Sequence, residues 1–445
     1  MKEGKRISVP GSIVAAQGFR ASGVFCDIKR LGTGKGSEKG AKRDLALIVS
    51  DVPAAVAGMF TTNQVCAAPV KLCIQRVKTG CAQAVVVNSG NANACTGRPG
   101  LKDAFAMARC AAQALRLSDR LVLVGSTGRI GVQLPMANVQ QGIGAAAQTL
   151  GHELVHAEQA AEAIMTSDSR PKQIAVEFQL GGRLVRLGGI CKGAGMIQPG
   201  MSATGARPPA APQGLHATML CFITTDADIA ARPLQAALRE SVSHSFNRIT
   251  VDGDMSTNDT VLVLANGMAG NKRITSTSSS GFAAFQSALA HVCLELAKMI
   301  VRDGEGVHRV VTVRVEGAKN FAEADAAARA VANSALVKTS WHGGDPNWGR
   351  IIDALGYSSA KVIEEKVDIG YSAPEGKEVL WSLRRGQPTD VAYADLCRAA
   401  SPREFELRIR LNVGRAQAVI YAADLTEEYV EFNKGDVTDP TTLGG

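Results

Sequence analysis

The chain has 445 residues, of which 46% are hydrophobic and 20% charged, with 46 glycines and a formal net charge of +8. That length suits about two to three domains with sizeable cores, and the composition excludes a disordered or fibrous protein. The densest basic stretch, Lys29 to Arg43, is interleaved with glycine and holds no aromatic residue, which excludes a base-stacking nucleic-acid surface and leaves a field suited to gathering small anions.

Ten cysteines stand singly, with no Cys-x-x-Cys pair; that usage fits reduced, buried thiols rather than disulfides or structural zinc. Met1 to Arg6 leads into a run broken by Pro10, Gly11 and Gln17, too short for a secretory apolar core. No uninterrupted apolar stretch of membrane-spanning length stands out. The expectation is a cytoplasmic protein without a membrane segment.

Residues 1–17 read as an approach segment and first strand. Leu31–Arg43 carries Gly32, Gly34, Gly36 and Gly40 but no closing Gly-Lys-Ser/Thr, so it reads as a loop and not as a phosphate cradle. Asp44–Val49 and Ala84–Val87 read as buried strands. Asn88–Gly97 reads as an amide-rich loop that turns the backbone or lines a polar pocket, and Leu101–Leu117 as a helix. Leu121–Val124 is a strand that runs into Gly125-Ser126-Thr127-Gly128. A turn there would let backbone amides converge, as an oxyanion hole requires.

His152-Glu153-Leu154-Val155-His156 matches the zinc-peptidase string. Leu150, Leu154, Ala157, Ala161 and Ile164 form an apolar stripe at helical spacing, with His152 and His156 on a polar face beside Gln148 and Gln159. No third ligand motif follows, so the reading is a solvated face and no metal.

Gln173–Leu180 and Arg183–Gly189 read as a hairpin about Gly181-Gly182. A glycine-rich basic turn, Cys191–Pro199, and a Pro/Ala/Gly-rich segment, Met201–His216, follow. Thr218 then opens an apolar, β-prone run to Thr225. A threonine at the head of a buried strand, behind an exposed linker, suggests a nucleophile released by self-cleavage. Its new α-amine, with an ordinary pKa of about 7.7–8, can take the hydroxyl proton. Thr204 also follows an alanine, but Gly205-Ala206-Arg207 cannot begin a buried strand.

Pro233 opens a helix with Leu234, Leu238, Val242 and Phe246 on one face. Asp252–Asp259 reads as a structural polar turn; for a calcium loop the glycine is misplaced and the closing glutamate absent. Thr260–Leu264 reads as a strand and Gly281–Val301 as a long helix, with Glu305 on a tight turn beyond it. His308–Glu316 reads as a strand, Glu323–Val331 as a helix, and Asp345–Arg350 as a turn. Phe405, Leu407, Ile409 and Leu411 alternate with charges as a strand paired through Gly414 with Ala416–Ala423. Residues from about 320 to 445 read as a smaller α+β domain.

Several of these stretches together resemble one family. They are Val85–Gly97, Gly125–Gly128, Met165–Lys172, Lys192–Pro199, Ala217–Ala227, Phe246–Thr260, Asp303–Gly306 and Asp345–Arg350. In that order, from about Gly18 to Asn433, they resemble the glutamate N-acetyltransferase, or ornithine acetyltransferase, family of arginine biosynthesis. The resemblance implies an α/β (α+β) fold, a sandwich of β-sheets flanked by helices of the N-terminal-nucleophile kind. It implies cleavage between Ala217 and Thr218 into chains 1–217 and 218–445, assembled two and two as a heterotetramer. Thr218 would be the nucleophile, Thr127 and Gly128 the oxyanion hole, and Thr166, Lys192, Thr218, Glu305, Asn433 and Thr438 the substrate contacts. The acetyl group would pass from N-acetylornithine to glutamate by a ping-pong route with no cofactor; acetyl-CoA stays open as a second donor. Met201–His216 is longer than the family pattern. The alternatives are an N-terminal-nucleophile amidohydrolase or aminopeptidase of related fold and, more remotely, a zinc peptidase using His152, Glu153 and His156.

Overall fold

A computed structural model describes residues 6–29, 42–207 and 219–434. Most of the glycine-rich Leu31–Arg43 loop, the end of the Pro/Ala/Gly segment with Ala217 and Thr218, and Thr438 lie outside the described residues.

Among the described residues the chain forms a mixed α/β structure with two sheets. The larger holds β1 (Arg6–Ser8), β2 (Phe19–Val24), β3 (Leu45–Thr61), β4 (Cys81–Asn91), β5 (Val122–Arg129), β6 (Lys172–Leu180), β7 (Arg183–Lys192), β8 (Met201–Ser202) and β9 (Leu220–Thr225). After β10 (Ile249–Thr250), β11 (Thr260–Ala265) completes it. Its order is β1-β6-β7-β9-β11-β3-β4-β5, with β2 and β8 added on β3. The pairs β4–β5 and β9–β11 are parallel and the others antiparallel.

Alternation sends successive side chains of β9 to opposite faces. Leu220 and Phe222 join a core under the helices Ala68–Val77, Gly97–Leu115, Met136–Gln148 and Leu154–Ala163. Cys221 and Ile223 join a second core under the helices Ala231–Ser243 and Phe282–Arg302. The latter helix is long and apolar enough to cross a membrane. Here its apolar face, including Phe285, Leu289, Val292 and Leu296, is buried against the sheet. The Gly181-Gly182 turn is as the sequence suggests: both glycines have positive φ, at 57° and 78°, and close an unbroken β6–β7 ladder.

The smaller sheet contains β10, β12 (Val310–Ala318), β13 (Asp368–Ser372), β14 (Leu380–Arg384), β15 (Gln387–Pro388), β16 (Glu404–Arg410) and β17 (Ala416–Ala423), in the order β10-β17-β12-β16-β13-β14-β15. Two sequence expectations change here. β16 and β17 are not a hairpin: β12 lies between them, parallel to β16 and antiparallel to β17. The amides of Val413 and Gly414 bond to the Gly317 carbonyl, so the connection crosses the end of β12. Val311, Val313 and Val315 fill the centre of that core. The smaller sheet therefore begins with strands upstream of residue 320.

Two further expectations are corrected. Gly125–Gly128 is not a turn but the continuation of β5, paired with β4 through Gly90 and Gly128. The zinc-peptidase string does not sit on one helix. The helix starts at Leu154 with Glu153 as its cap, which leaves His152 outside. Leu154, expected in the apolar stripe, is 50% exposed. The His156 ring covers Gly151, where a Cβ would come within 2.2 Å of it. No cluster able to hold a metal exists among the described residues.

Candidate active site

The ends of β5, β7, β9 and β11 converge. Lys192 closes β7 opposite Leu220, and Thr260 opens β11 on the other side of Leu220. The chain thus enters β9 between a lysine and a polar segment. Just before Leu220, the Met219 amide donates to Asp259 Oδ1 at 2.7 Å. The neighbouring Asn258 donates through Nδ2 to the Ser126 carbonyl at 2.8 Å and the Ala92 carbonyl at 2.7 Å. Asn258 thereby ties the start of β11 to β5 immediately beside Thr127, while Asp259 holds the head of β9.

Thr127 is fully buried, and its hydroxyl has no hydrogen-bond partner among the described residues. Gly128 follows with φ at +128°, and a Cβ there would lie 2.4 Å from the Gly90 carbonyl carbon. Only glycine fits that conformation and that approach. The pair therefore offers an unused buried donor beside a backbone that no side chain crowds.

Lys192 is 2% exposed, with Nζ 3.9 Å from Asp168. Burial lowers its pKa; Asp168, Glu305 and Asp259 act against that. Burial pushes the Asp168 carboxyl up, but Lys192, Lys172 and the Gly193 amide outweigh it and bring it to about 2. Asp168 accepts from Lys172 Nζ at 2.6 Å, from the Gly193 amide at 2.7 Å and from the Thr166 amide at 3.0 Å. Lys172 also bonds Asp303, which accepts from Ser169 as well. Two buried lysines and two buried aspartates thus balance beneath the site, which is the condition for keeping such charges out of water.

Glu305 sits on the turn after the long helix, its amide bonded to the Ala194 carbonyl, two residues past Lys192. Its carboxyl lies over Gly195, where a Cβ would stand 2.4 Å away. Burial raises its pKa, while hydrogen bonds from Ser167 and Asn433 lower it. Asn433 Nδ2 reaches Glu305 at 3.0 Å from the end of the short helix Glu427–Phe432. In the first turn of that helix Tyr429 donates to Asp252 at 3.3 Å, and Asp252 accepts the Met196 and Ile197 amides. Glu427 and Glu428 in the same turn face His342 and His308, at 3.0 and 3.1 Å.

Of the residues singled out in the sequence, Thr166, Lys192, Glu305 and Asn433 thus form one linked group. Thr127 and Gly128 join it through Asn258, Asp259 and Met219. Ala217, Thr218 and Thr438 lie outside the described residues. The sequence reading missed roles for Asp168, Lys172, Asn258, Asp259 and Asp303. Spacing of four residues linked Asp168 to Lys172, but nothing local marks either as buried. Asp252 fits the polar-turn reading, since it accepts backbone amides; Asp259 does more than turn the chain.

The ArgJ family model matches residues 21–436. The arginine biosynthesis bifunctional protein ArgJ of Symbiobacterium thermophilum is 47% identical over 423 residues, covering 95% of this chain and 98% of the relative. The glutamate N-acetyltransferase of Methanocaldococcus jannaschii is 41% identical over 432 residues, covering 96% and 98%. A solved ornithine acetyltransferase from Mycobacterium tuberculosis, complexed with ornithine, is 37% identical, with a TM-score of 0.40 over 44% of this chain and 100% of that one. The chain belongs to the ArgJ family, a family of acyltransferases in arginine biosynthesis.

Proposed function

We propose that this acyltransferase moves an acetyl group from N-acetylornithine to glutamate through an ester on Thr218. The chain first cleaves itself between Ala217 and Thr218. The Thr218 hydroxyl, its proton taken by the new α-amine, attacks the acetyl carbonyl, and the oxyanion is met by the Thr127 hydroxyl and the Gly128 amide. Ornithine leaves, and the glutamate amine then takes the acetyl group in the reverse sequence. Lys192 meets the α-carboxylate common to donor and acceptor. Glu305, held by Asn433, meets the side-chain ammonium of ornithine; Thr166 and Thr438 complete the pocket. The two chains pair as two and two, the site is cytoplasmic, and acetyl-CoA serves as a second donor in a bifunctional enzyme. The observation that carries this reading is the unpartnered buried hydroxyl of Thr127, next to the Ser126 carbonyl that Asn258 ties to the start of β11, where Asp259 holds the Met219 amide.

Intact-mass measurement of the purified protein tests it. Two chains divided between Ala217 and Thr218, and an uncut, inactive Thr218→Ala variant, are expected. A fully active variant would overturn the proposal. Acetate release without acceptor, in place of transfer, would point to a hydrolase.

A further inference from the structure

Asp259 is a buried titratable group that this mechanism leaves unused. It is fully buried, at the start of β11. Its backbone is fixed on both sides: its carbonyl accepts the Thr61 amide at 2.9 Å, and the following Thr260 amide donates to the Met219 carbonyl at 3.1 Å. Its Oδ1 accepts the Met219 amide at 2.7 Å. Its Oδ2 is buried and has no partner among the described residues. A side chain needed only to accept the Met219 amide would not require a second buried oxygen, and leaving one unpaired costs about 1–3 kcal/mol.

The covalent chain says what that oxygen is for. The Met219 nitrogen is acylated by Thr218, so only the carbonyl carbon and Cα of Thr218 separate it from the nitrogen of the Ala217–Thr218 bond. Burial pushes the Asp259 carboxyl well above the ordinary carboxylate range; the Met219 amide and Lys192, at the end of β7 across β9, pull against this. Burial makes this carboxyl hold its proton more firmly than an exposed one, and a carboxyl that holds a proton can donate it.

We propose that Asp259 is the general acid of self-cleavage, delivering its proton to the Thr218 nitrogen as the Ala217–Thr218 bond breaks. This deepens the Thr218 reading above and rests on it. In the step, the Thr218 hydroxyl oxygen bonds to the Ala217 carbonyl carbon, and the bond from that carbon to the Thr218 nitrogen breaks. Asp259 protonates the nitrogen, and the hydroxyl proton returns to the carboxylate. The result is an Ala217 ester and a free α-amine. Water then hydrolyses the ester, releasing the Ala217 carboxyl and restoring the Thr218 hydroxyl, with Asp259 in its starting state.

The test follows cleavage of newly synthesised chain over time by gel, for the wild type, Asp259→Asn, Asp259→Glu and Thr218→Ala. Asparagine keeps an acceptor for the Met219 amide and removes the acid. General acids contribute about 10²–10⁴-fold, so the Asp259→Asn chain is expected to cut more slowly by that factor, with Asp259→Glu recovering part of the rate. The uncut Asp259→Asn chain should resist added protease as well as uncut Thr218→Ala does. Cleavage at the wild-type rate would overturn the proposal. So would an uncut Asp259→Asn chain that is protease-sensitive, which would make the role structural. A wild-type chain that never cuts would instead count against the Thr218 reading itself.

Discussion

Asn433 and Glu305, 128 positions apart in the chain, share a 3.0 Å hydrogen bond from the amide to the carboxylate. The C-terminal helix delivers one and the turn after the longest helix the other. Removing the amide in Asn433→Ala frees Glu305 to swing without disturbing a core. KM for N-acetylornithine is expected to rise about tenfold with kcat little changed, the pattern of lost substrate binding. Initial rates of ornithine release measure it; an unchanged KM would separate Asn433 from the site.

Thr127→Val removes a hydroxyl that has no structural partner to lose. The melting temperature should hold, because an unpaired buried polar atom is exchanged for a methyl group of similar shape. Loss of one oxyanion donor is expected to lower kcat about 10²–10³-fold. Thermal melts and single-turnover acetylation report the two effects separately.

Two glycines predict opposite outcomes on alanine substitution. At Gly128 the new Cβ meets backbone, 2.4 Å from the Gly90 carbonyl carbon, in a conformation at φ +128°; neither can give, so the melting temperature falls. At Gly195 it meets the mobile end of Glu305, also at 2.4 Å. Gly195→Ala should keep the melting temperature and raise KM, because the carboxylate is displaced from its place beside Asn433.

Asp168 predicts a stability effect with a definite sign. Its folded-state pKa, about 2, lies below the ordinary value of about 3.9. Its contribution is therefore present above that ordinary value and lost as pH falls toward 2, on the order of 2 kcal/mol. Asp168→Asn leaves Lys172 and Lys192 buried with one carboxylate fewer, and should cost about 3–5 kcal/mol. Urea unfolding of wild type and variant from pH 5 to pH 2 should show the gap between the two curves narrowing by about 2 kcal/mol at the acid end.

The sequence by itself determined the elements whose signal is local. Period-two alternation marked β16 and β17, paired glycines marked the β6–β7 turn, and helical spacing marked the face of Leu234, Leu238 and Val242. The motif order from Gly18 to Asn433 was also legible, and it carried the family. Tertiary structure alone decided what depends on partners distant in the chain. Strand order is one such matter: β12 separates β16 from β17 because sheet neighbours are chosen by packing of both faces. Burial is another, since Asp168, Lys172 and Asp259 look like any surface charges until the strands around them exclude water. A carboxylate takes its protonation state from that exclusion and from the charges brought beside it, and neither is written in the residues that flank it.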